Sequence, residues 1–223
     1  MQGFYHIVNR GVEKRNVFLA DKDYVRFIHN FVDFNTIESM GDISYYKRRQ
    51  KLDIGCPTQK LVHILCWALL PNHSHLLINN IINDGVSKFS RKIFGGYTKH
   101  FNEQHDRSGV LFQGKSKIIR IEDDAHLLHL PFYIHLNPLN IFQPKWKSEG
   151  IKNIKKAMEF LENYRWSNYR DIVGTGDGEF MNLTDKELFF EVFETNEKRY
   201  RRDLEEWLYG DGHLKVGHRM SDH

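Results

Sequence analysis

Two histidines one residue apart, His73-Ser74-His75, are the first place where this chain could do chemistry. On an extended strand, residues i and i+2 project to the same side. Both imidazoles can then face one ion while Ser74 turns away. Two ring nitrogens do not complete a coordination sphere, so a third ligand has to come from elsewhere. The segment Tyr133-Ile134-His135-Leu136-Asn137-Pro138 offers one. On a helix Tyr133 and Asn137 stand at i and i+4 and share a side. An amide oxygen suits a hard cation such as Mg²⁺ or Mn²⁺, and the phenol would lie within about one turn of it. A plainer reading exists for each residue. Histidine pairs often satisfy ordinary surfaces or cores, Tyr133 could be a packing aromatic, and Asn137 could end a helix before Pro138. Spacing alone favours the plainer reading.

The elements that must position these residues follow from periodicity and breakers. Phe4-Tyr5-His6-Ile7-Val8 is rich in strand formers and ends at the turn signal Asn9-Arg10-Gly11. Asp21 is placed to cap a helix, and Tyr24, Phe27, Ile28, Phe31 and Phe34 carry it to about Ser39. The apolar run Leu61 to Leu70 predicts a buried strand. Pro71-Asn72 turns it into a second strand from His73 to Asn79, an antiparallel hairpin. Val86, Phe89, Ile93 and Tyr97 predict a second helix despite Gly95-Gly96. Val110-Leu111-Phe112 and Ile118 to Ile121 read as a fourth strand bent at Gly114. Asp123 or Asp124 caps a third helix ending near Asn137, since Pro138 follows. The order β-α-β-β-α-β predicts an α+β, ferredoxin-like split β-α-β antiparallel sheet with helices on one face, plus added C-terminal helices. One of these is short, around 153–163; the last starts at a Thr184/Glu187 capping box and runs to about Leu208. The expected organisation is a domain over 1–140 with an insertion at 40–60, a helical extension over 141–210 packed on it, and a loose tail over 211–223.

Composition narrows the class of function. Thirty aromatics among 223 residues supply apolar bulk for a core and exclude wholesale disorder. No run of about 18 apolar residues appears, so no transmembrane helix and no membrane partner are expected. The first residues lack a signal-peptide pattern, and Cys56 and Cys66 form no disulfide framework, so a cytoplasmic protein with reduced thiols is expected. Net charge is +3, but residues 1–120 hold 18 Lys+Arg against 10 Asp+Glu. A basic front half points to a polyanion partner, although solvated surface charge gives the same bias. Lys88, Arg91, Lys92 and Lys99 fall largely on one helical side, and Lys115, Lys117 and Arg120 flank the fourth strand. Arg10 and Arg15 sit near strand one. These nine are the candidate DNA-binding residues; the basic run Lys47-Arg48-Arg49-Gln50-Lys51 is either a solvated loop or a hairpin-contacting arm.

The order of several motifs resembles the HUH single-tyrosine transposases, in particular the REP-associated tyrosine transposase branch. The matching stretches are Tyr5 to Gly11, Leu70-Pro71-Asn72-His73-Ser74-His75-Leu76-Leu77, Tyr97 to Asn102, Gly109 to Gly114, and Tyr133 to Pro138. Late in the chain Trp166-Ser167-Asn168-Tyr169 is similar to the family's Trp-Ser-Ser-Tyr stretch. By that resemblance His73 and His75 are metal ligands, Asn137 is the third ligand and Tyr133 is the nucleophile. One departure is plain: Ser74 stands where the family has a bulky hydrophobic residue. The implied activity is metal-dependent cleavage and transfer of single-stranded DNA at hairpins or palindromic repeats, through a 5′-phosphotyrosine, by a monomer or homodimer. The implied cofactor is Mg²⁺ or Mn²⁺. Two other functions fit parts of the sequence. One is a non-catalytic hairpin-binding protein on the same fold. The other is a phosphohydrolase built on H-x-H, which would want more carboxylates than Asp84 near the pair. Tyr97 is the reserve phenol should Tyr133 not be the nucleophile. Loss of either histidine is expected to cost little stability, as for exposed ligands near a strand start.

Overall fold

The turn at Pro71-Asn72 closes a hairpin between β2 (Val62–Leu70) and β3 (His73–Asn80), and every residue of β3 is buried. The structure is a computed structural model that describes residues 3–37, 59–176 and 179–210. With β1 (Phe4–Arg10) and β4 (Lys117–Ile121), the hairpin forms a four-stranded antiparallel sheet in the order β2-β3-β1-β4. This is the α+β arrangement expected from the β-α-β-β-α-β order. The 40–58 part of the expected insertion, with the run Lys47–Lys51 and Cys56, and the expected tail over 211–223 lie outside the described residues.

The chain divides into two compact units. The first comprises residues 1–64, 71–74 and 78–120. Among the described residues its α-helices are α1 (Asp21–Asp33) and α2 (Gly85–Gln104). Phenylalanine and tyrosine at helical spacing bury one side of each. Phe27 meets Tyr97 edge-on at 5.1 Å, and Asn30 Nδ2 donates to the Ile93 carbonyl at 3.2 Å. Gly96 permits the close approach of Phe34, whose ring would lie 2.5 Å from a Cβ there. The cap of α1 is Asp23 rather than Asp21: its carboxylate accepts from the Leu19 and Ala20 N–H groups at 2.8 and 3.0 Å. That helix also stops at Asp33, short of the expected Ser39. Two residues on, Asn35 leaves the helical pattern and brackets the start of β2, accepting from Leu61 and Val62 N–H and donating to the Val62 carbonyl. The fourth strand is shorter than its sequence suggested, because Phe112 makes only an isolated bridge with Gly11.

The second unit comprises residues 65–70, 75–77 and 121–223. It carries α3 (Asp124–Leu136), α4 (Leu139–Phe142), α5 (Trp146–Glu149), α6 (Ile154–Asn163) and α7 (Tyr169–Ile172). The expected single last helix is two, α8 (Lys186–Val192) and α9 (Glu197–Tyr209). Glu194 breaks the run with a left-handed φ of 45°, and Asn196 caps the next helix by accepting from Arg199 N–H. The capping of α8 comes from Asp185, which accepts from Leu188 N–H, and not from the Thr184/Glu187 box. Residues 166–168 pair with β2: Leu69 N–H donates to the Trp166 carbonyl at 2.8 Å, and Ala68 bridges Ser167 antiparallel. Trp166 and Tyr169 are both buried. No helix among the described residues is long and apolar enough to cross a membrane.

Candidate functional site

His73 opens β3, and its ring is oriented by the residue before it. Asn72 Nδ2 donates to the Lys14 carbonyl at 3.2 Å, which fixes the amide so that Oδ1 faces the imidazole. His73 Nδ1 lies 2.6 Å from that oxygen. An amide oxygen only accepts, so Nδ1 carries a proton, and in the neutral ring the lone pair is on Nε2. A backed imidazole of this kind is how proteins hold a histidine ready for a cation. The backing depends on the bend after β1. Gly11 N–H donates to the Asn72 carbonyl at 2.8 Å, and a Cβ on Gly11 would fall 2.2 Å from the Arg15 carbonyl oxygen.

His75, two residues along the same strand, is only 3% exposed. The expectation that the histidines are exposed ligands is therefore corrected: both are buried, and their loss removes packed rings. Ser74 between them is also buried, and its Oγ has no hydrogen-bond partner among the described residues. A larger apolar side chain there would bury no hydroxyl.

The His75 ring meets Tyr133 of α3 edge-to-face with centroids 5.5 Å apart. Tyr133 is half-buried, and the Lys147 Nζ stands 4.8 Å from its ring centroid. Asn137 ends α3. Its Nδ2 donates to the Tyr133 carbonyl at 3.1 Å, and its Oδ1 accepts from Asn140 Nδ2 at 3.2 Å. One lone pair of that oxygen remains, so the donor type fits a hard cation. Among the described residues no group of three or more His, Cys, Asp and Glu converges on a metal position. A cation held by the two imidazoles would need amide, water or phosphate oxygens to complete its shell. Lys147 escaped the sequence reading, since nothing in Lys145-Trp146-Lys147 distinguishes it from solvated charge.

His135, two residues from Tyr133, has a different part. Its Nδ1 lies 2.7 Å from Tyr200 Oη, and its Nε2 lies 2.9 Å from Asn168 Oδ1 and 3.1 Å from Cys66 Sγ. The Asn168 amide is fixed by donating to the Leu65 carbonyl and Thr184 Oγ1, so its oxygen also accepts from Trp67 N–H. Nε2 therefore carries the proton, and Tyr200 donates to Nδ1. Burial pulls the His135 pKa down to about 4 and raises Tyr200 and Cys66 well above their usual values. The imidazole is neutral, dry and occupied on both nitrogens. It is no general base. Tyr97 is removed as reserve nucleophile by similar means: it is fully buried, its hydroxyl donates to the Val17 carbonyl, and burial raises its pKa far above 10.

The nine basic candidates separate into groups. Arg91, Lys99 and Lys115 line one groove of about 750 Å³ in the first unit. Lys92 is tied to the Thr36 carbonyl at 2.7 Å, and Arg15 to Glu13 at 3.2 Å. Arg10 is half-buried, while Lys88, Lys117 and Arg120 are exposed outside that groove.

No family model matches the sequence, and no curated protein matches it. Among solved structures, a REP-associated tyrosine transposase bound to a REP hairpin is similar over 77% of this chain and 79% of its own. The TM-score is 0.48 and the identity 16%.

Proposed function

We propose that this protein cuts and transfers single-stranded DNA at hairpins or palindromic repeats through a covalent tyrosine intermediate. The motif order in the sequence suggests the reading. The observation that carries it is the meeting of Tyr133 with His75 and Lys147: a half-buried phenol ring against a strand imidazole, with an ammonium over its face. His73 and His75, with Asn137, would hold Mg²⁺ or Mn²⁺, which when bound offsets phosphate charge and favours a phenolate.

Tyr133 Oη attacks the phosphorus of a phosphodiester in line with the P–O3′ bond. The new O–P bond forms as the P–O3′ bond breaks. The phenol proton passes to water, and the departing O3′ takes up a proton to leave as a 3′-OH. The 5′-phosphate stays on Tyr133 as an ester. A second 3′-OH attacking the same phosphorus reverses the exchange on a new strand, so rejoining needs no ATP. Lys147 lies where positive charge can attract the incoming backbone. His135 takes no part in the proton transfer.

The test is a denaturing gel of the protein with 3′-end-labelled hairpin strands in Mg²⁺ or Mn²⁺, beside the fully paired duplexes. The wild type is expected to form a metal-dependent covalent adduct with hairpin strands and far less with duplex. Tyr133→Phe is expected to lose the adduct by at least ~10³-fold while still shifting the DNA on a native gel. Undiminished cleavage by the Phe variant rejects the assignment. A wild-type shift with no adduct selects the non-catalytic hairpin-binding alternative.

A further inference from the structure

The groove in the first unit has a floor of one character and a rim of another. Val110 is 69% exposed and Ile118 36% exposed, and the buried Phe94 and Phe112 of the same lining meet edge-on at 5.1 Å. Around this apolar floor stand Arg91, Lys99 and Lys115, and none of the lining residues is acidic. Lys99 makes a loose surface pair with Glu103 at 3.9 Å. Arg91 and Lys115 make no ion pair among the described residues.

A second observation comes from the helix wall. Gly95 lies in the middle of α2, exposed to the groove. Among the described residues, a Cβ there would meet no atom within 4 Å beyond the backbone of its own helix and its chain neighbours. Its neighbour Gly96 is explained by Phe34, but nothing among the described residues requires glycine at 95. Alanine would make the better helix. What a side chain at 95 would take up is the space of the groove itself.

We infer that this groove holds an unpaired nucleotide of a DNA strand, with its base on the Val110–Ile118 floor beside Gly95 and its flanking phosphates on Arg91, Lys99 and Lys115. The charge is complementary to a phosphate backbone, the floor suits a planar base, and the glycine leaves room for it. A paired base is already stacked and its edge occupied, so the groove selects single strands. The inference rests on the proposed function and deepens it, since it names a place in the first unit where the strand is held.

The experiment measures fluorescence anisotropy of fluorescein-labelled oligo(dT), and of an abasic strand of equal length and charge, with the full chain. Gly95→Leu is expected to weaken oligo(dT) binding by ~10-fold while leaving Tm unchanged or raised. Wild type is expected to bind the abasic strand about as weakly as Gly95→Leu binds oligo(dT). Arg91→Ala/Lys115→Ala is expected to lower the slope of log affinity against log salt by about 1.4, at about 0.7 per phosphate on a single strand. No binding of oligo(dT), equal affinity for both strands, or an unchanged salt slope in the double variant overturns the inference. Should Gly95→Leu lower Tm, the double variant decides. The gel with Tyr133→Phe reads the other proposal separately. Adduct formation with binding indifferent to Gly95→Leu sinks the groove alone, and Gly95-dependent binding without adduct sinks the chemistry alone.

Discussion

Tyr133 and His135, two of the ionisable rings on helix α3, stand two residues apart in opposite surroundings. His135 is fully buried, with both nitrogens engaged by partners that are themselves fixed. Tyr133 is half-buried, touching an imidazole and an ammonium rather than being walled in. Each site pairs a histidine with a tyrosine, so residue type does not separate them. The number of satisfied hydrogen bonds and the exclusion of water do. A completed polar network in a dry interior holds protein together and leaves nothing to offer a substrate.

The largest effect should fall on cleavage. His73→Ala and His75→Ala are each expected to lower adduct formation by at least ~100-fold. Because both rings are buried, each should also cost about 1–2 kcal/mol of stability, read as a Tm lowered by several degrees. Adduct formed at the wild-type rate by either variant would erase the distinction between the two sides of α3. His135→Ala should show the reverse. It leaves Tyr200 Oη without its acceptor and opens a cavity, costing roughly 3–5 kcal/mol and lowering Tm by on the order of 10 °C. Adduct yield per folded molecule should hold. A His135 variant with normal Tm and no adduct would place the chemistry on the wrong side.

Acid should act through the same residue. The unfolded imidazole takes a proton near pH 6.5, whereas burial delays protonation of folded His135 to about pH 4. Protonation in that window favours the unfolded chain. The contribution is full above pH 6.5 and is lost as pH falls to 4, by about 3 kcal/mol. Urea midpoints across that range should show the loss in wild type and a shallower slope in His135→Gln. An equal slope in both would assign the acid sensitivity elsewhere. Lys147→Met should have the smallest effect, a slowing of adduct formation by about 5-fold with Tm nearly unchanged. No slowing would reduce the ammonium to a packing role.

Periodicity and turn chemistry made the sheet legible. The Leu61–Leu70 run and the Pro71-Asn72 turn appear as expected, and of the two aspartates expected to cap α3 it is Asp123 that does, accepting from Ala125 and His126 N–H. The failures lie where a polar side chain found a distant partner. Asn35 bonds to β2 instead of extending α1, and Asp23 pairs with His105 at 3.0 Å while it caps. Glu194 splits the last helix at a left-handed residue that hydrophobic spacing does not register. At the site, the histidines and Tyr133 stood out by spacing and motif order. Lys147 and the Asn168 amide did not, since only folding brings each to its partner.

The pairing of residues 166–168 with β2 has a consequence for the nascent chain. Trp67 N–H finds its acceptor in Asn168, 101 residues later. Until that stretch has been synthesised, the outer rim of the hairpin is an open strand, rich in apolar side chains, that another copy could pair with. A product terminated before Trp166 would keep that rim bare and should self-associate, however well the rest of its sheet had formed.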